Sequence, residues 1–188
     1  MNASTEFNVL GIDPSLNRTA FCHYSDKGFD FFTVIPKELR GCERLTFIFN
    51  ETLNWISTRK CDFDAIAIEN YSYGSMGKLA DLAEAGGIIK VCLAMFTNTV
   101  VKPTPSQLKK FVLGNGSLSR KVSKPLMIKK ANEALAEHGQ GQLVLQTDDE
   151  ADALGLAVLA HKFMTKKCVN RYEAEVIKAV ENSKETIG

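Results

Sequence analysis

Asp13 and Glu69 each end a short, almost wholly apolar run, and a third acidic group, Asp148-Asp149-Glu150-Ala151-Asp152, opens a helical pattern. One acid at a strand end is ordinarily a polar residue meeting solvent. Two acids on separate buried strands, with their ends at one edge of a sheet, form a candidate pair. In the third group Thr147 and Glu150 fit a capping box, and acids in a first turn suit the helix dipole, which accounts for Asp148 and Glu150. It does not account for Asp152, which lies past the first turn beside apolar Ala153, Leu154 and Leu156. Asp149 and Asp152 are spaced i, i+3 and share one helix face. Four carboxylates brought together would repel strongly without a cation among them. Hard oxygen ligands suit Mg²⁺, with Mn²⁺ able to substitute, rather than zinc. The set fits metal-assisted phosphodiester hydrolysis, in which two metals about 3.5–4 Å apart activate the water and stabilise the leaving oxygen.

A polyanionic substrate is indicated by the charge pattern. Between Ala85 and Asn132 there is no acidic residue, while nine basic ones occur: Lys90, Lys102, Lys109, Lys110, Arg120, Lys121, Lys124, Lys129 and Lys130. Lys129-Lys130 reads as an ordinary solvated helix face. From Lys109 to Lys124 a glycine-rich loop, Gly114-Asn115-Gly116-Ser117, sits among the bases and favours phosphate contacts from backbone amides and ammonium groups together. Tyr71 and Tyr73 follow Glu69 in a Gly- and Ser-containing loop, where they could stack on or wedge between bases or serve as packing anchors.

These residues need a scaffold. Phe7 to Ile12 and Ala65 to Ile68 read as short buried strands. Thr19 to Tyr24 and Phe29 to Val34, joined by Ser25-Asp26-Lys27-Gly28, read as a hairpin. Thr99 to Val101 is a fifth strand. Helical spacing covers Glu43 to Ser57, Leu79 to Phe96, Val122 to His138 and Asp148 to Met164, and Pro105 opens a short helix at its favoured first-turn position. The order predicts an α/β fold with a mixed five-stranded sheet flanked by helices. A nuclease-like domain would span residues 1–165, with a C-terminal helix or tail over 166–188.

With 188 residues, 45% hydrophobic and 24% charged, the chain can bury an ordinary core, which excludes disorder and disulfide-scaffold classes. Net charge is only +1, so overall electrostatics name no partner. The five cysteines, Cys22, Cys42, Cys61, Cys92 and Cys168, are odd in number, lack a Cys-x-x-Cys pair, and are expected to be small buried apolar residues. No signal peptide is visible, and no apolar run approaches the roughly 20 residues that span a bilayer. The expectation is a soluble protein of a reducing cytoplasm.

Together these motifs resemble the RuvC family of Holliday-junction resolvases, crossover junction endodeoxyribonucleases. Gly11-Ile12-Asp13-Pro14-Ser15 is similar to the family's opening strand and first acid, and Ile68-Glu69 to its second. Leu82-Ala83-Glu84-Ala85-Gly86-Gly87 resembles its small-residue helix, and Pro105-Ser106-Gln107-Leu108-Lys109-Lys110 its basic segment. Asp149-Glu150-Ala151-Asp152-Ala153-Leu154 resembles its last acidic helix. The resemblance implies a ribonuclease H-like fold, a homodimer, four-way junction DNA as partner, and Asp13, Glu69, Asp149 and Asp152 as catalytic metal ligands. It implies catalytic roles for Lys109 and for Lys121, with Lys124 the alternative to the latter. DNA contacts would come from Tyr71 or Tyr73, Lys102, Lys110, Arg120 and Lys124. The loop after Glu69 and residues 118–125 diverge from the pattern, which suits a bacteriophage member and leaves any branch-migration partner open. Two other classes compete. A nucleotide-binding protein of the actin and sugar-kinase type would need a second lobe and a phosphate-clamping glycine loop. A non-catalytic branched-DNA binder would have no need of four acids.

Overall fold

Residues 7–59, 62–70, 79–97, 99–182 and 184–186 are described by a computed structural model, and the apolar runs lie at the centre of its sheet. The strands are β1 (Asn8–Asp13), β2 (Thr19–Ser25), β3 (Gly28–Val34), β4 (Ala65–Ile68), β5 (Thr99–Val101) and β6 (Glu185–Thr186). They are arranged in the order β3-β2-β1-β4-β5-β6. The hairpin makes β1, β2 and β3 antiparallel, while β4 and β5 join parallel to β1 through helical crossovers. The mixed five-stranded arrangement is as expected. The two-residue β6, antiparallel to β5, is an addition that its charged sequence did not announce.

Strand alternation sorts the side chains into two cores. Leu10, Ile12, Ile66 and Ile68 face one side and pack with α1 (Gly41–Ser57) and α2 (Leu79–Leu93). Val9, Ala65, Ala67, Ala20 and Cys22 face the other, onto the central helix α5 (Asp148–Thr165). Outside α5 lie α3 (Pro105–Leu113), α4 (Arg120–Glu137) and α6 (Arg171–Glu181), which pack on α5 and on one another. Small residues on this face let α5 come close. At Gly11 the approach is backbone on backbone, since a Cβ there would stand 2.1 Å from the Ala153 carbonyl oxygen and 2.3 Å from the Ala157 nitrogen.

Local signals are met where they were strongest. Thr104 caps α3 with a reciprocal box to Gln107, Pro105 occupies its first position, and Gly114 ends it in the left-handed conformation at φ 76°. Helix α2 stops at Leu93, and residues 94–96 form a turn rather than continuing the helix to Phe96. The expectation for the cysteines needs correcting. Cys22 and Cys92 are buried, but Cys168 is half-buried and Cys42 is exposed in the first turn of α1, while Cys61 lies outside the described residues. Among the described residues no helix is long and apolar enough to cross a membrane.

Candidate active site

Asp13 and Glu69 reach the same edge and the same face of the sheet because of strand parity. Ile12 is paired with Ile68 in the parallel β1–β4 register, and the Glu69 amide donates to the Ile12 carbonyl at 3.0 Å. Asp13 is two residues past Gly11, and Glu69 is two past Ala67, so both belong to the face that carries α5. Thr147 caps α5: its hydroxyl accepts from the Glu150 amide at 3.4 Å and donates to Glu150 Oε2 at 2.6 Å. From the first two turns of that helix Asp149 and Asp152 enter the same space. A cavity of about 390 Å³ is lined by Asp13, Glu69, Asp149 and Asp152, with Asp148, Ser15, Lys109, Arg120, Ser123 and Lys124 also on its wall.

The acids are poorly compensated. Burial pushes the Asp13 carboxyl far above its ordinary range, and the charges of Glu69, Asp152, Asp149 and Asp148 add in the same direction. Burial and then Asp152 push Glu69 up to about 8, against an opposing pull from Lys109 and Arg120. Asp152 is pushed up to about 7 by burial, then by Asp148 and Asp149, with Lys124 and Arg120 opposing. Asp149 is raised by burial and Asp148, while Arg18 pulls the other way. Proton uptake is one escape from such crowding. A bound cation is the other.

The acids offer only oxygen, and among the described residues no His or Cys stands on the cavity wall, so the set fits a hard divalent cation rather than zinc. Among the described residues no three His, Cys, Asp or Glu side chains close into a finished metal cage.

The predicted basic residues divide. Lys109, Arg120 and Lys124 line the cavity, whereas Lys121 is exposed and lies off its wall. Lys109 Nζ donates to the Leu118 carbonyl at 3.0 Å and so ties the 114–119 loop to α3. That tie fixes the start of α4, and a residue one position away on a helix points about 100° elsewhere. Lys124 forms an ion pair with Asp148, an acid expected only to stabilise the helix end. Lys110 is paired with Glu175 of α6 at 2.8 Å, and Lys102 is half-buried; neither lines the cavity. Tyr71 and Tyr73 lie outside the described residues. Arg18 went unnoticed in the sequence. It pairs with Glu150 at 3.0 Å and approaches Asp149 at 3.4 Å across 132 positions of chain, a contact no local spacing signals.

Comparison with known proteins bears on this arrangement. The family model described as crossover junction endodeoxyribonuclease RuvC matches residues 9–161. A protein of that name from Syntrophomonas wolfei is 31% identical over 157 residues, covering 80% of this chain and 86% of its own. Its counterpart from Rhodococcus jostii is 28% identical over 158 residues, covering 80% and 78%. Among solved structures, Thermus thermophilus RuvC superposes with a TM-score of 0.63 at 17% identity, covering 96% of this chain and 99% of that one. The same protein in complex with a Holliday junction substrate gives 0.63 at 15% identity, a likeness of fold.

Proposed function

The chain belongs to the RuvC family of crossover junction endodeoxyribonucleases, and from that premise we propose a metal-dependent endonuclease that cleaves Holliday junctions and other branched DNA by phosphodiester hydrolysis. One observation carries the chemistry: four acids from three separate elements, β1, the end of β4, and α5, line a single cavity together with Lys109, Arg120 and Lys124. In this reading Asp13, Glu69, Asp149 and Asp152 hold the metal, Mg²⁺ by the hardness of the donor set, with Mn²⁺ able to substitute. When bound, the ions supply activation of water and stabilisation of charge on the leaving oxygen. Lys109 and Arg120 place positive charge beside Glu69, where they orient the scissile phosphate and offset charge that grows on it. Lys124 plays the same part nearer Asp152. The exposed Lys121 contributes phosphate affinity only.

A four-way junction is close to two-fold symmetric, and cutting two of its strands calls for two sites, which a C2 dimer supplies. The interface we assign is the outer face of α2. Val91 and Met95, just past its end, are 63% and 57% exposed, and a Cβ added at Gly87 would meet nothing within 4 Å. Ala85 and Gly86 on the inner side are buried, so the small residues of this helix serve two purposes. The reading places the protein in the cytoplasm of a bacterium or a phage-infected cell.

The decisive experiment compares cleavage of a four-way junction in Mg²⁺ with binding in EDTA or Ca²⁺. Asp13→Asn, Glu69→Gln, Asp149→Asn and Asp152→Asn should each abolish cutting and leave binding equal or tighter, since each removes negative charge facing phosphate. Full activity in Asp152→Asn, or cutting in EDTA, would refute the reading.

A further inference from the structure

We infer that Arg18 is a positioning residue for Asp149, held in place by Glu150; the inference rests on the reading of Asp149 as a metal-binding carboxylate. Arg18 lies in the β1–β2 loop that follows Asp13, and the loop is pinned by Thr19, whose hydroxyl donates to the Ser15 carbonyl at 2.7 Å and accepts from the Ser15 amide at 3.2 Å. Arg18 Nη2 donates to Glu150 Oε1 at 3.0 Å. The other Glu150 oxygen is taken by the Thr147 hydroxyl at 2.6 Å, so that carboxylate is fixed at both ends. With its tip anchored there, the guanidinium sets Nε 3.4 Å from Asp149 Oδ2, in a place where Nε is buried and has no hydrogen-bond partner among the described residues. The arrangement binds the loop after Asp13 to the turn of α5 that carries Asp149. It gives Asp149 a fixed positive neighbour at 3.4 Å. A carboxylate whose direction is set in advance loses less freedom when it engages an ion, and small misplacements of such groups are costly.

The test uses Arg18→Ala, Arg18→Lys, Glu150→Ala, the Arg18→Ala/Glu150→Ala double variant, and Asp149→Asn in parallel. Three quantities are read: the single-turnover cleavage rate at saturating junction and Mg²⁺, junction affinity in EDTA, and the melting temperature in EDTA. Arg18→Ala and Glu150→Ala should each lower the saturating rate by about 10- to 100-fold. The double variant should be no slower than the worse single one, because both break one link. Arg18→Lys should recover part of the rate, and junction affinity should stay within about threefold. The losses in metal-free melting temperature should likewise fail to add, a readout that needs no bound ion. Should Arg18→Ala cut at the parental rate while Asp149→Asn is inactive, the inference falls and the site reading stands. Multiplying losses, or an affinity defect with a normal saturating rate, would also overturn it. An active Asp149→Asn would instead bring down the site reading itself.

Discussion

Gly11→Ala is a one-carbon perturbation with an outsized expected effect. The new Cβ would stand 2.1 Å from the Ala153 carbonyl oxygen, 2.3 Å from the Ala157 nitrogen and 2.9 Å from the Leu156 carbonyl carbon, all backbone atoms of α5. Ordinary contact begins near 3.4 Å, so the helix must retreat by about 1 Å. No side-chain rotation can relieve the clash. Overpacking of this kind costs about 1–3 kcal/mol, and backbone-on-backbone crowding belongs at the upper end. For a chain of this length that is a fall in melting temperature of about 5–10 °C. The same retreat carries Asp149 and Asp152 away from Asp13, only two residues beyond the substitution. A displacement near 1 Å between groups that must act together is worth about 100-fold in rate. The assay pairs thermal unfolding with single-turnover junction cleavage at saturating Mg²⁺, and junction binding in EDTA serves as the control. Binding should be nearly unchanged, since α3, α4 and their bases do not touch Gly11. A variant that melts within about 1 °C of the parent and cuts at the parental rate would refute the idea that this contact sets the spacing of the acids.

Other expectations follow from the same geometry. Because Asp13, Glu69 and Asp152 hold protons more tightly in the folded chain than in the unfolded one, the metal-free stability they contribute should be fully present below about pH 4. It should be lost as pH rises through about 7 and 8, the values to which Asp152 and Glu69 are pushed, and Mg²⁺ should restore it at pH 8 but hardly at pH 5. A flat melting temperature between pH 5 and 8 in EDTA would contradict this. Lys109→Ala and Arg120→Ala should slow cleavage of saturated junction well beyond their effect on affinity. Lys121→Ala should only weaken binding and reduce the salt slope by about one unit, and a slowed saturating rate in Lys121→Ala would restore it to the site. Val91→Glu should convert a dimer to a monomer with little change in subunit folding, because Val91 is exposed. Sedimentation of the parent as a monomer at micromolar concentration, one subunit per junction, would exclude the α2 interface.

What the sequence disclosed was whatever depends on short spacing. The apolar runs ending in Asp13 and Glu69, Pro105 at the first position of α3, the Thr147 cap, the hairpin around Gly28 and the i, i+3 pair on α5 are all local patterns, and each is present. Parity and register then bring the two strand-end acids together. Features resting on distant partners could not be read. Arg18 meets Glu150 only because α5 lies across β1, and Lys110 meets Glu175, 65 positions away, only because α6 packs on α3. Lys121 lies off the cavity wall for a subtler reason. The phase of α4 is set by the loop that Lys109 holds through Leu118, and one residue of phase decides whether Arg120 or Lys121 faces the acids.

The helices bearing the cations rest on α5 and α6 rather than on the sheet, and this has a consequence for how the molecule breathes. Amides of β1, β4 and α5 belong to the most deeply packed part of the chain and should exchange with solvent only on global unfolding. Helices α3 and α4, which carry Lys109, Arg120 and Lys124, pack on the far side of α5, and hydrogen exchange resolved by segment should show their amides exchanging ahead of those of β1. In the proposed reading the acids and the bases therefore belong to different layers, the acids to the sheet and α5, the bases to the helices outside α5. Earlier exchange of α3 and α4 would let the bases follow the arms of a branched substrate while the acids stay in place.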